Sequence, residues 1–260
     1  MPGRIRQESL DHGIVRVTLD QPEKHNAIST AMWDELAEAF TALTADLALR
    51  CVILTGAGNQ AFSAGADISE FATTRSTIDQ ARAYGQRTHT ALSAIAACRH
   101  PVIAQIHGLC VGGGLEIACV CDLRIAANDG RFGIPIKRLG LVVGYSELAA
   151  LVRLIGPANA LEILLEGRLY DSAQALRMGL VNRTVASAEL EQHVLTTAQR
   201  IAEGAPLAAR WHKNFLRRLQ DPRPLSAAEI DEALECFATA DFQNGYRAFL
   251  AKQAPQFRGK

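Results

Sequence analysis

The run His107-Gly108-Leu109-Cys110-Val111-Gly112-Gly113-Gly114-Leu115-Glu116 carries most of the information about the fold. It follows Pro101-Val102-Ile103-Ala104-Gln105-Ile106, which reads as a buried strand, and it opens the helical run Leu115 to Val120. A chain that leaves a strand, passes three glycines and enters a helix exposes backbone N–H groups where no side chain blocks a ligand. The first N–H groups of the helix lack intrahelical partners and favour a negative oxygen. The triple glycine matches neither the Gly-x-x-x-x-Gly-Lys phosphate loop nor the Gly-x-Gly-x-x-Gly dinucleotide site. Close packing of strand on helix would call for the same glycines.

Upstream, Val15, Val17 and Leu19 alternate with Arg16, Thr18 and Asp20, a strand pattern that ends in a turn at Gln21-Pro22. A helix is predicted from about Ser29, with Trp33, Leu36, Ala37, Phe40 and Leu43 along one stripe. Cys51-Val52-Ile53-Leu54 is a short apolar strand ending at Gly56 and Gly58, and the polar segment Ser69 to Arg87 reads as loop plus helix. Downstream, Leu123-Arg124-Ile125-Ala126 is again a strand. This alternation predicts an α/β fold with strands buried on both faces. The strand-then-helix unit recurs about every 45–50 residues. After residue 186 the strand signal stops. Ser226-Ala227-Ala228-Glu229 is a capping box opening a helix with Ile230, Leu234 and Phe237 on one face, and Arg247, Phe249 and Lys252 fall in another helical stretch. The division expected is a core over 1–186 and a helical region over 187–260. No Gly/Ser linker separates them, so close packing is expected, the alternative being an arm on a neighbouring subunit.

The 260 residues suffice for one large domain or a domain with an appendage. Apolar residues make up 48%, and 27 Lys and Arg balance 27 Asp and Glu. The zero net charge and the lack of a dense basic run argue against a nucleic-acid partner. Charges interrupt the longest apolar stretches, so no membrane association is expected. Met1 to Gln7 is polar and reads as no secretory signal. Six cysteines form no Cys-x-x-Cys pair and mostly lie in apolar runs, as buried thiols of a reducing compartment do. The address expected is the cytoplasm. His12, His89, His100, His193 and His212 show no convergent spacing, so no metal site is expected, and His107 reads as structural.

A second glycine segment, Ala61-Phe62-Ser63-Ala64-Gly65-Ala66-Asp67-Ile68, also follows an apolar strand. Ser63 to Asp67, Gly112 to Glu116, Cys121-Asp122 and Phe132-Gly133-Ile134-Pro135 occur in that order. So do Arg153-Leu154-Ile155-Gly156, Ala173-Gln174-Ala175, Gly179-Leu180-Val181-Asn182 and Phe237-Ala238-Thr239. Together these motifs resemble the enoyl-CoA hydratase/isomerase (crotonase) superfamily over essentially the whole chain. The resemblance implies a crotonase (ClpP-like) spiral of β-β-α units with a helical C-terminal trimerisation region. It implies a homotrimer or dimer of trimers that binds an acyl-CoA thioester, with CoA arriving as part of the substrate and no separate cofactor. The oxyanion hole implied is the N–H of Ala66 with the N–H of Gly113. Lys24, His25, Ala64, Asp67 and Ile68 match stretches that hold CoA, and Phe249 and Lys252 match C-terminal positions that reach a CoA, sometimes a neighbour's.

Glu116 matches the first catalytic glutamate of the hydratases. The second should directly follow Pro135, where this chain has Ile136, which can neither give nor take a proton. Tyr145 and Glu147, in Gly144-Tyr145-Ser146-Glu147, are the residues placed to compensate, although Glu147 also suits the first turn of a helix. Three functions follow as alternatives. The first is hydration or dehydration of a 2-enoyl-CoA with Glu116 as acid/base. The second is enoyl-CoA isomerisation or other single-carboxylate enolate chemistry, decarboxylation and thioester hydrolysis included. The third is a CoA-ester-binding protein with little catalysis. The Ser69–Gln86 segment is expected to shape the acyl pocket.

Overall fold

The computed structural model describes residues 2–260. The chain begins with strands β1 (Arg4–Leu10) and β2 (Ile14–Asp20), then helix α1 (Thr30–Ala45). Strands β3 (Cys51–Gly56) and β4 (Ala61–Ser63) lead to the single turn α2 (Phe71–Thr74) and to α3 (Ile78–Ala97). The pattern repeats as β5 (Val102–Ile106), β6 (Leu109–Val111) and α4 (Gly113–Val120). It repeats again as β7 (Leu123–Ala127), β8 (Arg131–Gly133) and α5 (Tyr145–Glu166). After β9 (Tyr170–Asp171), α6 (Ser172–Arg177) and β10 (Arg183–Val185) come α7 (Leu190–Ala202), α8 (Pro206–Arg218), α9 (Ala227–Glu232) and α10 (Ala240–Ala251).

The three β-β-α units that start at β3, β5 and β7 each send their first strand to one sheet and their second to another. The six-stranded sheet runs β1-β2-β3-β5-β7-β10, and the four-stranded sheet β4-β6-β8-β9. The pairings from β2 to β10 are parallel, and β1 is antiparallel to β2. β3 and β5 are buried along their whole length, as strands covered on both faces must be. One face packs Trp33, Leu36 and Phe40 of α1 with Leu92 and Ile95 of α3. The other packs Ile53, Ile103 and Ile125 against Leu190, Val194 and Ala198 of α7. The helical region from 187 onward therefore starts with an element of the core.

The Val15–Leu19 alternation proves to be the second strand. β1 precedes it and gives no apolar pattern because it is an edge strand that buries little beyond Ile5 and Leu10. Helix α5 is the helix of the described residues long and apolar enough, by composition, to span a bilayer. It is broken at Gly156-Pro157 and turns Ala150, Leu151, Ile155, Ala160 and Ile163 into the core. A third departure concerns the C-terminus. Close packing holds for α7 and α8, but Ile230, Leu234, Phe237, Phe249 and Leu250 all lie more than half exposed. Apolar periodicity marks a face that seeks burial without specifying which surface covers it.

Helix α8 is fixed to the sheet by a buried cation. Lys213 Nζ donates to the carbonyl of His100 at 2.8 Å and to Asp122, whose carboxylate also accepts the Val102 N–H at 2.7 Å. Lys213→Met would leave Asp122 with an uncompensated charge beside the start of β5. We expect a loss of about 2–4 kcal/mol in denaturant unfolding, with secondary structure retained in water.

Candidate functional site

The two glycine segments meet backbone to backbone. Gly65 has φ +93°, and a Cβ there would lie 2.8 Å from the Val111 carbonyl and 3.1 Å from the Gly113 nitrogen. A Cβ on Gly114 would lie 2.5 Å from the Ser63 carbonyl oxygen. Only glycine permits this approach. The upstream segment is held by a buried loop. Asn26 donates to the carbonyls of Ala57 and Ala61 and accepts from Gln21 N–H, while Ser63 Oγ donates to the Asn26 carbonyl. Ile28 N–H donates to Gly65 and Asp67 N–H donates to Ile28. That bridge leaves the Ala66 N–H between them without a protein acceptor among the described residues. Gly113 begins α4, so its N–H has no intrahelical partner. The two free donors are close, since a Cβ on Gly113 would lie 3.5 Å from the Ala66 nitrogen.

Both donors line a cavity of about 420 Å³. Glu116, one turn along α4 from Gly113, faces it, and Ile136 forms part of its wall. Burial is the main cause pushing the Glu116 carboxyl up, to about 7, with the negative charge of Glu147 adding to it and Arg75 opposing. Glu147 stands in the first turn of α5 and lines the same cavity. The wall opposite comes from α2 and α3, with Phe71, Arg75 and Tyr84, and Trp33 Nε1 donates to Tyr84 Oη at 2.8 Å.

The other residues singled out from sequence fall in three places. Ala64 and Ile68 line the cavity with Ala66. Lys24 is ion-paired with Asp67 at 2.6 Å and donates to Ser69, while His25, at φ 51°, accepts the Ala64 N–H on its carbonyl. These three stand beside the cavity-lining strip and do not line the cavity. Tyr145 is 95% exposed and turned away, so the structure brings Glu147, not Tyr145, to Glu116. Phe249 is 82% exposed, and Lys252 is the left-handed C-cap of α10; neither lines the cavity within one chain. His107 is buried, with Nε2 3.1 Å from the Gly56 carbonyl, and burial pushes its pKa down. All six cysteines are free, and no cluster of three metal-ligating side chains occurs among the described residues. Sequence reasoning missed Asn26, whose positive φ leaves no periodicity, and Arg75, hidden in a polar segment.

A loop-and-helix pair of backbone donors, a half-buried carboxyl and an apolar cavity are the parts that acyl-transfer or enolate chemistry can use. The family model for enoyl-CoA hydratase/isomerase matches residues 9–260. The chain is 35% identical over 249 residues to a probable enoyl-CoA hydratase of Mycobacterium tuberculosis, covering 95% of each. It is 36% identical over 245 residues to the crotonyl-CoA hydratase of Syntrophomonas wolfei, covering 93% of each. The crystal structure of an enoyl-CoA hydratase/carnithine racemase from Magnetospirillum magneticum superposes with a TM-score of 0.97 at 49% identity, covering 98% of this chain and 96% of that one. The chain belongs to the enoyl-CoA hydratase/isomerase family and has its crotonase fold.

The raised Glu116 has a stability consequence with a definite sign. Folding favours its protonated form, so its contribution is fully present below the unfolded value near 4.5 and is lost as pH rises through about 7. Glu116→Gln removes that loss. We expect the variant to be about 2–3 kcal/mol more stable than wild type at pH 8, with the difference vanishing towards pH 4.5, in paired denaturant titrations.

Proposed function

We propose that this protein hydrates a 2-enoyl-CoA, and dehydrates the product in reverse, using Glu116 and Glu147 as its two carboxyl groups. The observation that carries this reading is that Glu147 enters the cavity occupied by Glu116, in place of the glutamate absent at Ile136. The thioester oxygen accepts from the N–H groups of Ala66 and Gly113. Water adds through its oxygen to C3 and gives its proton to Glu147. The π pair of C2=C3 moves towards the carbonyl and forms an enolate whose oxygen rests on the two donors. The enolate then takes the Glu116 proton at C2. Glu116 suits that step because it lies one turn from Gly113, hence nearest C1 and C2, and because a carboxyl near 7 keeps its proton to neutral pH. Each donor contributes roughly 3 kcal/mol towards stabilising the enolate.

In the same reading CoA lies along the strip formed by Lys24, His25, Ala64, Asp67 and Ile68. The His25–Ala64 hydrogen bond supports this by joining the strip's two segments. Phe249 and Lys252 serve a neighbouring subunit's CoA in a homotrimer or dimer of trimers. The exposed apolar face of α9 and α10 supports such an assembly. The free cysteines accord with a cytoplasmic enzyme. Ile136 favours a second reading, single-carboxylate isomerisation, since a double-bond shift needs one group to remove and return a proton.

Mass-resolved incubation with crotonyl-CoA in H₂O and in D₂O separates the two. The wild type is expected to form 3-hydroxybutyryl-CoA, with kcat/KM for hydration falling as pH rises through about 7. Glu116→Gln and Glu147→Gln should each lose about 10²-fold or more. Deuterium exchange without water addition would assign the isomerase reading, and an unimpaired Glu147→Gln would remove Glu147 from the chemistry.

A further inference from the structure

Arg75 is the only cation among the described residues that line the cavity. Its backbone caps the C-terminus of α2, and its side chain lines the cavity. The guanidinium carbon lies 3.7 Å from the centre of the Tyr84 ring and 4.4 Å from that of Phe71. Tyr84 is itself held by Trp33. The Nε of Arg75 is buried with no hydrogen-bond partner, and Arg75 makes no salt bridge among the described residues. The neighbouring arginines of α3 behave differently. Arg82 pairs with Asp79 at 2.5 Å, and Arg87 pairs with Asp34.

A guanidinium in an apolar wall loses hydration, and the two aromatic faces return only part of that loss. A purely structural arginine would recover the rest from a carboxylate. The acids that share the cavity with it are Glu116 and Glu147, and Glu70 lies just before its helical turn. Glu70 is engaged by the N–H and hydroxyl of Thr30, at 2.8 and 2.7 Å. Glu116 keeps a raised pKa despite Arg75, so the cation does not neutralise it. What remains is a planar guanidinium held on the cavity wall, a fork of donors that suits a carboxylate in two places.

We infer that the acyl group carries a second anion: the substrate is a dicarboxylic acyl-CoA whose distal carboxylate is bound by Arg75 while its thioester oxygen sits on Ala66 and Gly113. The inference rests on the proposed reading of this cavity as the acyl-CoA site. The aromatic clamp holds the fork at a set distance from the oxyanion donors, so the site selects one chain length. Ile136 and the apolar residues between them accept the methylene chain.

Equilibrium binding of saturated CoA esters tests this without relying on turnover. Titration calorimetry on the full-length protein would compare butyryl- with succinyl-CoA, valeryl- with glutaryl-CoA, hexanoyl- with adipyl-CoA and octanoyl- with suberyl-CoA. At one length the dicarboxylic ester should bind at least about tenfold tighter than its monocarboxylic partner. Arg75→Met should abolish that preference while leaving the monocarboxylic Kd within about threefold, and Arg75→Lys should keep part of it. The inference is overturned if no dicarboxylic ester in the wild type is preferred, a result that needs no variant to fold. It is equally overturned if the preference survives in folded Arg75→Met. Failure of all eight esters to bind would overturn the acyl-CoA reading and this inference with it. Tight dicarboxylate binding without hydration of any enoyl ester would sink the hydratase proposal alone.

Discussion

The site depends on the contact of two backbones. Ser63 to Ala66 and Val111 to Gly114 lie so close that Gly65 and Gly114 have no room for a side chain. The contact brings two free N–H groups close together, and the four-stranded sheet supplies both segments. β4 delivers the first segment, and β6 delivers the second into α4. Because β4 and β6 are adjacent parallel strands, sheet geometry brings the two segments side by side. The Asn26 hydrogen bonds and the Ile28 bridge then fix the first segment from behind. Donors held in place before a ligand arrives need no reorganisation when charge develops on it, and the proposed hydration would draw its stabilisation from that.

The same framework sets a cost. Glu116 is carried on the helix that starts at the second donor, so it is drawn into the protein with that helix, and burial raises its pKa to about 7. The stability lost at neutral pH is the counterpart of a carboxyl whose pKa burial has moved towards neutrality. Glu147 arrives from a different element, the first turn of α5, where a carboxylate is also favoured by the helix N-terminus. The site thus takes its acid groups from two helices and its donors from a helix start and a loop.

Much of the fold was legible in sequence because buried parallel strands and amphipathic helices leave periodic traces. Cys51–Leu54, Val102–Ile106 and the α1 stripe fall where that periodicity placed them. β1 was not legible, because an edge strand buries too little to show a pattern. At the site, Glu116 and the glycine segments were legible through family motifs, and the structure brings them to one cavity. Tyr145 and Glu147 were indistinguishable in sequence. The direction in which the first turn of α5 points its side chains separates them, exposing Tyr145 and turning Glu147 inward. Arg75 sits in a polar stretch that reads as surface, and only the packing of Phe71 and Tyr84 shows that it faces a cavity. Phe249 and Lys252 lie on a face that a single chain leaves uncovered.

If the Ala66 and Gly113 N–H groups jointly polarise a thioester carbonyl, binding must change how that carbonyl vibrates. Isotope-edited infrared spectroscopy of butyryl-CoA labelled with ¹³C at the carbonyl reads that polarisation directly. The carbonyl stretch is expected to move to lower frequency on binding, beyond its position in water, because two aligned donors withdraw more density than solvent does. A bound carbonyl that absorbs at its aqueous frequency would contradict that joint polarisation.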